Sequence, residues 1–169
     1  FVNYVRCHDD IGWGLEESAV QYLGSDPLEH KKFLYHFYIG DYPGSFARGE
    51  LYNYDPVSQD ARSCGTCASL CGIEKALDEC DPGALGLAVS RHLMIHAYIA
   101  SLSGIPVIYS GDELAQLNDN RYTDDPVKAV DSRFIHRGKL DWARAEKRLD
   151  RETVPGLVFQ ALQKLIRLR

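Results

Sequence analysis

Apolar and polar positions alternate from Val2 through Tyr4 and Val5 to Cys7, which predicts a short strand. The strand ends where His8, Asp9 and Asp10 meet the Gly12-Trp13-Gly14 turn. Residues 15–23 read as a short helix. Asp26-Pro27-Leu28-Glu29 reads as a helix start, with Asp as cap, Pro in the first turn and Glu closing a capping box, and that helix is expected to reach about Tyr38. Between Gly40 and Arg62 no period is sustained, and Gly, Pro, Asn and Asp recur every few residues, so an ordered loop rich in Tyr and Phe is expected. Thr66 caps a predicted helix to about Glu79, and Asp81-Pro82 starts another that reaches Ser103, where Gly104 ends it. Ile105 to Ser110 is a continuous apolar strand, followed by a turn whose Asp112 is placed to cap a new helix. Asn118 to Arg137 reads as a second polar loop, and Leu157 to Leu168 as an amphipathic helix. Two strands with a buried helix between them make a βαβ unit, with acidic residues beyond both strand ends.

The chain has 169 residues, 45% hydrophobic and 25% charged, which is ample for one core. Its net charge of −5, with the bases dispersed, excludes the electrostatic footprint of a nucleic-acid binder and of an anionic-membrane binder. Residues 84–109 carry Arg91 as their single formal charge, but Gly104 and Pro106 interrupt them, so a buried helix and strand are expected rather than a membrane span. No charged segment followed by an apolar one opens the chain as a secretory signal would. The opening in mid-strand, with Met94 as the single Met, leads us to expect a piece of a longer protein. Five cysteines, Cys7, Cys64, Cys67, Cys71 and Cys80, are an odd count that argues against a fully paired framework and suits a cytoplasmic protein. Cys64-x-x-Cys67-x-x-x-Cys71 invites a metal reading, yet no second dyad or His pair is seen at ligand spacing. Thiols packed on one helix face are therefore preferred to a metal site.

In parallel α/β architecture sites form beyond the carboxyl ends of the strands, where both acidic clusters fall. Neighbours on a strand point to opposite faces, so Asp9 and Asp10 are not expected to act as an acid/base couple. The segment Tyr4-Val5-Arg6-Cys7-His8-Asp9-Asp10-Ile11-Gly12-Trp13 resembles the strand-seven motif of glycoside hydrolase family 13, the α-amylase superfamily. Gly104-Ile105-Pro106-Val107-Ile108-Tyr109-Ser110-Gly111-Asp112-Glu113 resembles that superfamily's strand-eight segment. Gly44-Ser45-Phe46-Ala47-Arg48-Gly49, Asn53-Tyr54-Asp55-Pro56 and Asp131-Ser132-Arg133-Phe134-Ile135-His136-Arg137 are similar to the amylosucrase group within it, enzymes that split sucrose and pass the glucosyl unit to a glucan or to water.

The resemblance implies a helix-rich α/β fold: part of a (β/α)8 TIM barrel, with strand seven in residues 1–13, an inserted subdomain in 14–62, and strand eight with the remaining barrel helices in 63–169. It implies that Asp9 is the carboxylate that stabilises the oxocarbenium-like transition state, and that His8 binds the glucosyl hydroxyls. Asp10 and Arg62 would line the adjoining leaving-group or acceptor subsite, and Arg133 would close the pocket through a salt bridge to a residue outside this chain. The aromatic loop would be a sugar-stacking surface. Lys31 and Lys32 stand where the amylosucrase pattern has Arg-Gln, which implies weaker glucan binding, because Lys lacks the planar fork of Arg. A retaining glycosidase also needs a nucleophile and a general acid/base about 5 Å apart, which the family carries on strands four and five. A whole barrel takes roughly 250 residues, so this chain alone is expected to be inert. No cofactor and no metal are implied. The implied partner is sucrose or an α-glucan, and the isolated piece is expected to self-associate through open strand edges. The alternatives are a hydrolase of α-linked glucans and a catalytically dead carbohydrate-binding module.

Overall fold

A computed structural model describes residues 1–169 as a helix-rich α/β fold with two small sheets. Strand β1 (Val2–Tyr4) is followed by β2 (Ile11–Gly12), α1 (Glu17–Tyr22) and α2 (Pro27–Ile39). Then come the hairpin β3 (Glu50–Asp55) and β4 (Asp60–Cys64), the short helices α3 (Cys67–Leu70) and α4 (Ile73–Asp78), and the long helix α5 (Pro82–Ser101). Strand β5 (Ile105–Val107), three 3-10 turns within 112–136, α6 (Trp142–Glu146) and α7 (Val154–Leu168) complete the chain. Strands β1 and β5 pair in parallel, Val2 opposite Ile105 and Tyr4 opposite Val107, with α5 as the connection. The second sheet is antiparallel in the order β2-β4-β3, so the hairpin is tied directly to the chain just beyond Asp10.

The expected caps are present and explain the helix starts. Asp26 accepts from the Glu29 amide, Thr66 from Ser69 and Asp81 from Ala84, each satisfying a donor that has no partner within its helix. The main core is Ala68, Ile73, Ala88, Ala115, Val158 and Leu162, joining α3, α4, α5 and α7 to the turn after β5. A smaller cluster of Cys64, Tyr122 and Ile135, with Tyr52 and Phe134 against it, fastens the hairpin to the 3-10 turns at 120–124 and 132–136. That second cluster brings residues 62 and 133 to the same end of β1.

Several expected elements differ. Residues 50–64, expected to be part of a loop, form the hairpin. Their strands carry no continuous apolar face, and Asn53 at φ 50° interrupts the register between Tyr52 and Asp55. Asp55 holds the turn by accepting from the Val57 amide and the Ser58 hydroxyl. The single helix expected from Thr66 to Glu79 is broken at Gly72, whose φ of 98° is left-handed and whose missing side chain leaves room for the Phe46 backbone. Cys64 accordingly lies in β4 rather than on a helix face with Cys67. Both strands of the parallel pair stop earlier than expected, at Tyr4 and Val107. Asp112 does not cap a helix: it lies inside the 3-10 turn Asp112–Leu114, where its side chain is buried, and the Gly111 amide bonds the Glu113 carboxylate instead.

Residues 84–109 resolve into α5 and β5, and no helix is long and apolar enough to cross a membrane. Within the aromatic loop Tyr42 and Phe46 pack against α2, while Tyr54 remains exposed. Phe33 meets Tyr42 and Phe37 meets Phe46 edge to face at 4.9 and 5.0 Å, Trp13 stacks on Tyr38 at 5.0 Å, and the Arg91 guanidinium covers Phe46 at 3.7 Å. Val2, Tyr4, Ile105 and Val107 remain exposed on the parallel pair, as does Phe1 beside it.

Candidate functional site

The chain beyond β1 turns sharply, and a buried arginine fixes that turn. Arg6 donates through Nε to the Gly65 carbonyl at 3.1 Å and through Nη2 to the Asp9 carbonyl at 2.9 Å. It thereby ties the acidic loop to the segment between β4 and α3. Around that loop the arginines interlock. Arg133 Nη1 lies 3.1 Å from Asp9 Oδ1 and 3.9 Å from Asp10 Oδ1, while its Nε and Nη2 grip the Asp131 carboxylate at 2.9 Å each. The guanidinium lies 4.6 Å from the Tyr52 ring, so the hairpin supplies the plate on which Arg133 rests. Arg62, from β4, reaches Asp10 Oδ2 at 3.0 Å. Asp10 is 5% exposed at its side chain and Asp9 51%, so one carboxylate is structural ballast for the arginines and the other faces solvent.

The bond from Arg133 comes first among the causes that hold the Asp9 carboxyl far below the ordinary carboxylate range, and the Asp10 amide assists. Asp9 is therefore ionised at any working pH. Arg133 is pushed further up by Asp131 and Asp9 in turn.

This geometry corrects one expectation. Asp9 and Asp10 do not diverge to opposite faces, because the chain bends at residues 8–9 rather than continuing as a strand, and both carboxylates converge on Arg133. Within the chain Arg133 is paired with Asp131 as well as Asp9. The 3-10 turn Ser132–His136 sets Asp131 as its cap, within reach of the Arg133 fork. His8 is exposed at the same bend, and its carbonyl accepts from Arg137 Nε at 2.7 Å. Lys31 pairs with Asp60 of β4 at 3.1 Å and Lys32 with Glu29 at 2.8 Å, and both lysines are partly buried. The structure thus brings Asp9, Asp10, Arg62 and Arg133 into one network with His8 at its rim. No family model matches the chain.

Arg6, Asp131, His136 and Arg137 belong to the same site, and the chain pattern did not single them out for it. Each acts through a backbone group or a local turn, which residue spacing does not encode. His136 is buried and accepts from the Gly65 amide at 3.2 Å through Nδ1. Burial, then the nearby Arg6 charge, pushes it down to about 4. It folds neutral, whereas the unfolded chain takes up its proton near the ordinary value of about 6.5. Between those values the unfolded state binds the extra proton, so stability falls as pH drops from about 6.5 toward 4, by up to about 3 kcal/mol from this group. Urea unfolding at pH 7 and pH 5 is the measurement. The variant H136Q keeps an acceptor for Gly65 and should lose most of that pH dependence, and an unchanged slope would show that His136 is not its source.

A second cluster lies on the other side of Arg6. Cys67 and Cys71 have their sulfurs 4.0 Å apart, and α5 brings His92 and His96 against them together with Asp112. The His92–His96 pair at spacing four is the His pair that the cysteine spacing lacked in sequence. It was legible in the chain but lies 21 residues beyond Cys71, on a helix read as plain core. The bond from Cys67 pulls Cys71 down to about 6, with burial opposing and His92 assisting. Cys64, outside this cluster, is pushed up to about 12 by burial. For His96, burial opposes the charged form, but Asp112 and the His92 carbonyl outweigh it and the net direction is upward.

Proposed function

We propose that this chain is the strand-seven-to-eight part of a (β/α)8 catalytic barrel of the glycoside hydrolase family 13 type, closest in motif to the amylosucrases. The observation that carries the reading is an ionised, half-exposed Asp9 at the carboxyl end of a parallel strand, framed by Asp10–Arg62 and by Arg133. A fixed negative charge there suits the positive charge that develops at the anomeric carbon during glucosyl transfer. In this reading His8 contacts the glucosyl hydroxyls from the rim. Arg62, held by the buried Asp10, lines the neighbouring subsite, and Arg133 closes the pocket by bracing Asp9. Residues 14–62 form the inserted roof over that end.

The nucleophile and the general acid/base come from other strands of the same barrel, and transfer proceeds by double displacement with retention. The exposed apolar residues of the β1–β5 pair, Val2, Tyr4, Ile105 and Val107, support this: they are what the remaining barrel strands would cover, and what would make the isolated piece self-associate. The five free cysteines suit a reducing, cytoplasmic compartment.

The test is incubation of the intact protein with sucrose, following fructose, glucose and α-glucan. Fructose release with glucan or glucose formation is expected. No fructose release overturns the sucrose assignment, and cleavage of α-linked oligosaccharides instead selects the hydrolase alternative.

A further inference from the structure

The cluster behind Arg6 has a chemistry that glucosyl transfer does not use. One of its buried polar atoms, His92 Nδ1, has no hydrogen-bond partner, while His96 Nε2 and Asp112 Oδ2 face each other at 3.5 Å. His92 is 0% exposed, so bulk solvent does not reach that nitrogen. Leaving such an atom unsatisfied is costly, so it calls for an occupant.

The other nitrogen of each ring is engaged. His92 Nε2 lies 2.9 Å from the Asp112 carbonyl and His96 Nδ1 2.8 Å from the His92 carbonyl. A carbonyl can only accept, so each of those nitrogens carries the hydrogen; neutral His92 then has its lone pair on Nδ1, while His96 Nε2 faces the Asp112 carboxylate. This is how proteins orient metal-binding imidazoles. Nδ1 of His92 lies among the two thiols. The donor atoms of Cys67, Cys71 and His92 lie within 4.8 Å of one another, and so do those of Cys67, His96 and Asp112.

We infer that Cys67, Cys71 and His92 bind one Zn²⁺ ion, with His96 or Asp112 as the fourth ligand. Two ligand pairs at spacing four, one from the α3 turn and one from α5, face each other as a mixed sulfur and nitrogen set. Zinc prefers that set over calcium or magnesium, which take oxygen. The 4.0 Å separation of the sulfurs is close to the roughly 3.8 Å that two Zn–S bonds of about 2.3 Å span at a tetrahedral angle. Cys67 belongs to both triads, so an ion bound at the first lies beside His96 and Asp112.

Binding releases the thiol protons and leaves the metal with two thiolates, and no redox change is involved. Cys67 and Cys71 also line an apolar cleft of about 390 Å³, which provides an entry path. The ion would pin α3, α5 and the turn after β5 together, next to the Arg6 side chain that holds the Asp9 carbonyl. A Cys67–Cys71 disulfide is the competing fate of the two thiols, and it would leave His92 Nδ1 without a partner.

The experiment uses the full chain, purified under reducing conditions, stripped with a chelator and titrated with Zn²⁺ and, separately, Co²⁺. One zinc per chain is expected, and the cobalt form should show a thiolate-to-cobalt charge-transfer band with tetrahedral d–d intensity. C71S and H92Q should weaken zinc binding by more than the roughly 10–100-fold that loss of an outer-shell partner costs. C7S and C80S should leave it unchanged, and H96Q against D112N identifies the fourth ligand. The cobalt spectrum of the unaltered chain decides even where a variant fails to fold. No stoichiometric zinc, a cobalt spectrum without thiolate charge transfer, or a Cys67–Cys71 disulfide in the native chain overturns the inference.

Discussion

On the proposed reading, replacing Asp9 by Asn in the intact protein should lower the rate of glucosyl transfer from sucrose by about 10²–10³-fold or more, the loss typical of removing one preorganised electrostatic contact to a developing charge. The substitution is isosteric and leaves an acceptor for Arg133 Nη1 and for the Asp10 amide, which Asp9 now serves at 3.1 and 3.0 Å. What it removes is the charge. That charge matters most when the anomeric carbon turns positive, so the loss should fall on kcat with little change in KM. Because the Arg133 bond holds the Asp9 carboxyl far below its ordinary range, its ionisation does not set the acid limb of the activity profile. Steady-state kinetics with sucrose check both points. A D9N enzyme with undiminished kcat would remove Asp9 from the chemistry and leave it as a partner for Arg133.

The largest effect on stability is expected at the start of α7. A methyl group on Gly156 would sit 1.8 Å from the Asp150 carbonyl oxygen and 3.0 Å from that of Lys147. Both are backbone, and neither can swing away as a side chain would. Thr153 holds this corner closed by accepting from the Gly156 amide while donating to the Asp150 carbonyl at 2.8 Å. Gly156→Ala must therefore shift α7, which carries Val158 and Leu162 into the main core. The gain in helix propensity, up to about 1 kcal/mol, is outweighed by overpacking, and a net loss of about 3 kcal/mol is expected. Gly86→Ala is the control: it lies in α5, a Cβ there meets nothing within 4 Å, and propensity alone should stabilise it. Urea unfolding midpoints measure both. A stabilised G156A would show that the close approach does not govern this corner.

The helix starts were legible because a cap is a local event. Asp26, Thr66 and Asp81 each bond an amide three residues on, so residue order alone is enough to place them. The parallel pairing of residues 2–4 with 105–107 was legible from two apolar runs separated by a long apolar helix, although that helix, expected to be buried, leaves Leu87, Met94 and Tyr98 exposed. The hairpin at 50–64 was not. Its strands are stabilised by Tyr52 and Cys64 against Tyr122, Phe134 and Ile135, which are far away in the chain, rather than by alternation of their own. The break at Gly72 was hidden for the same reason, since what it accommodates is the Phe46 backbone.

The candidate site divides along that line. Resemblance of sequence motifs singled out His8, Asp9, Asp10 and Arg133, which lie in contiguous segments, and Arg62, which lies outside them. The fold alone decided how they meet. Asp9 and Asp10 share one arginine because the chain bends between them, and Arg133 finds Asp131 because a 3-10 turn folds the two together. The fold also assembled Cys67, Cys71, His92, His96 and Asp112 from three separate segments. Residue spacing encodes local hydrogen bonds and faces, but distances between segments come from packing of the whole core. A cluster drawn from several segments is therefore visible only once that core has formed.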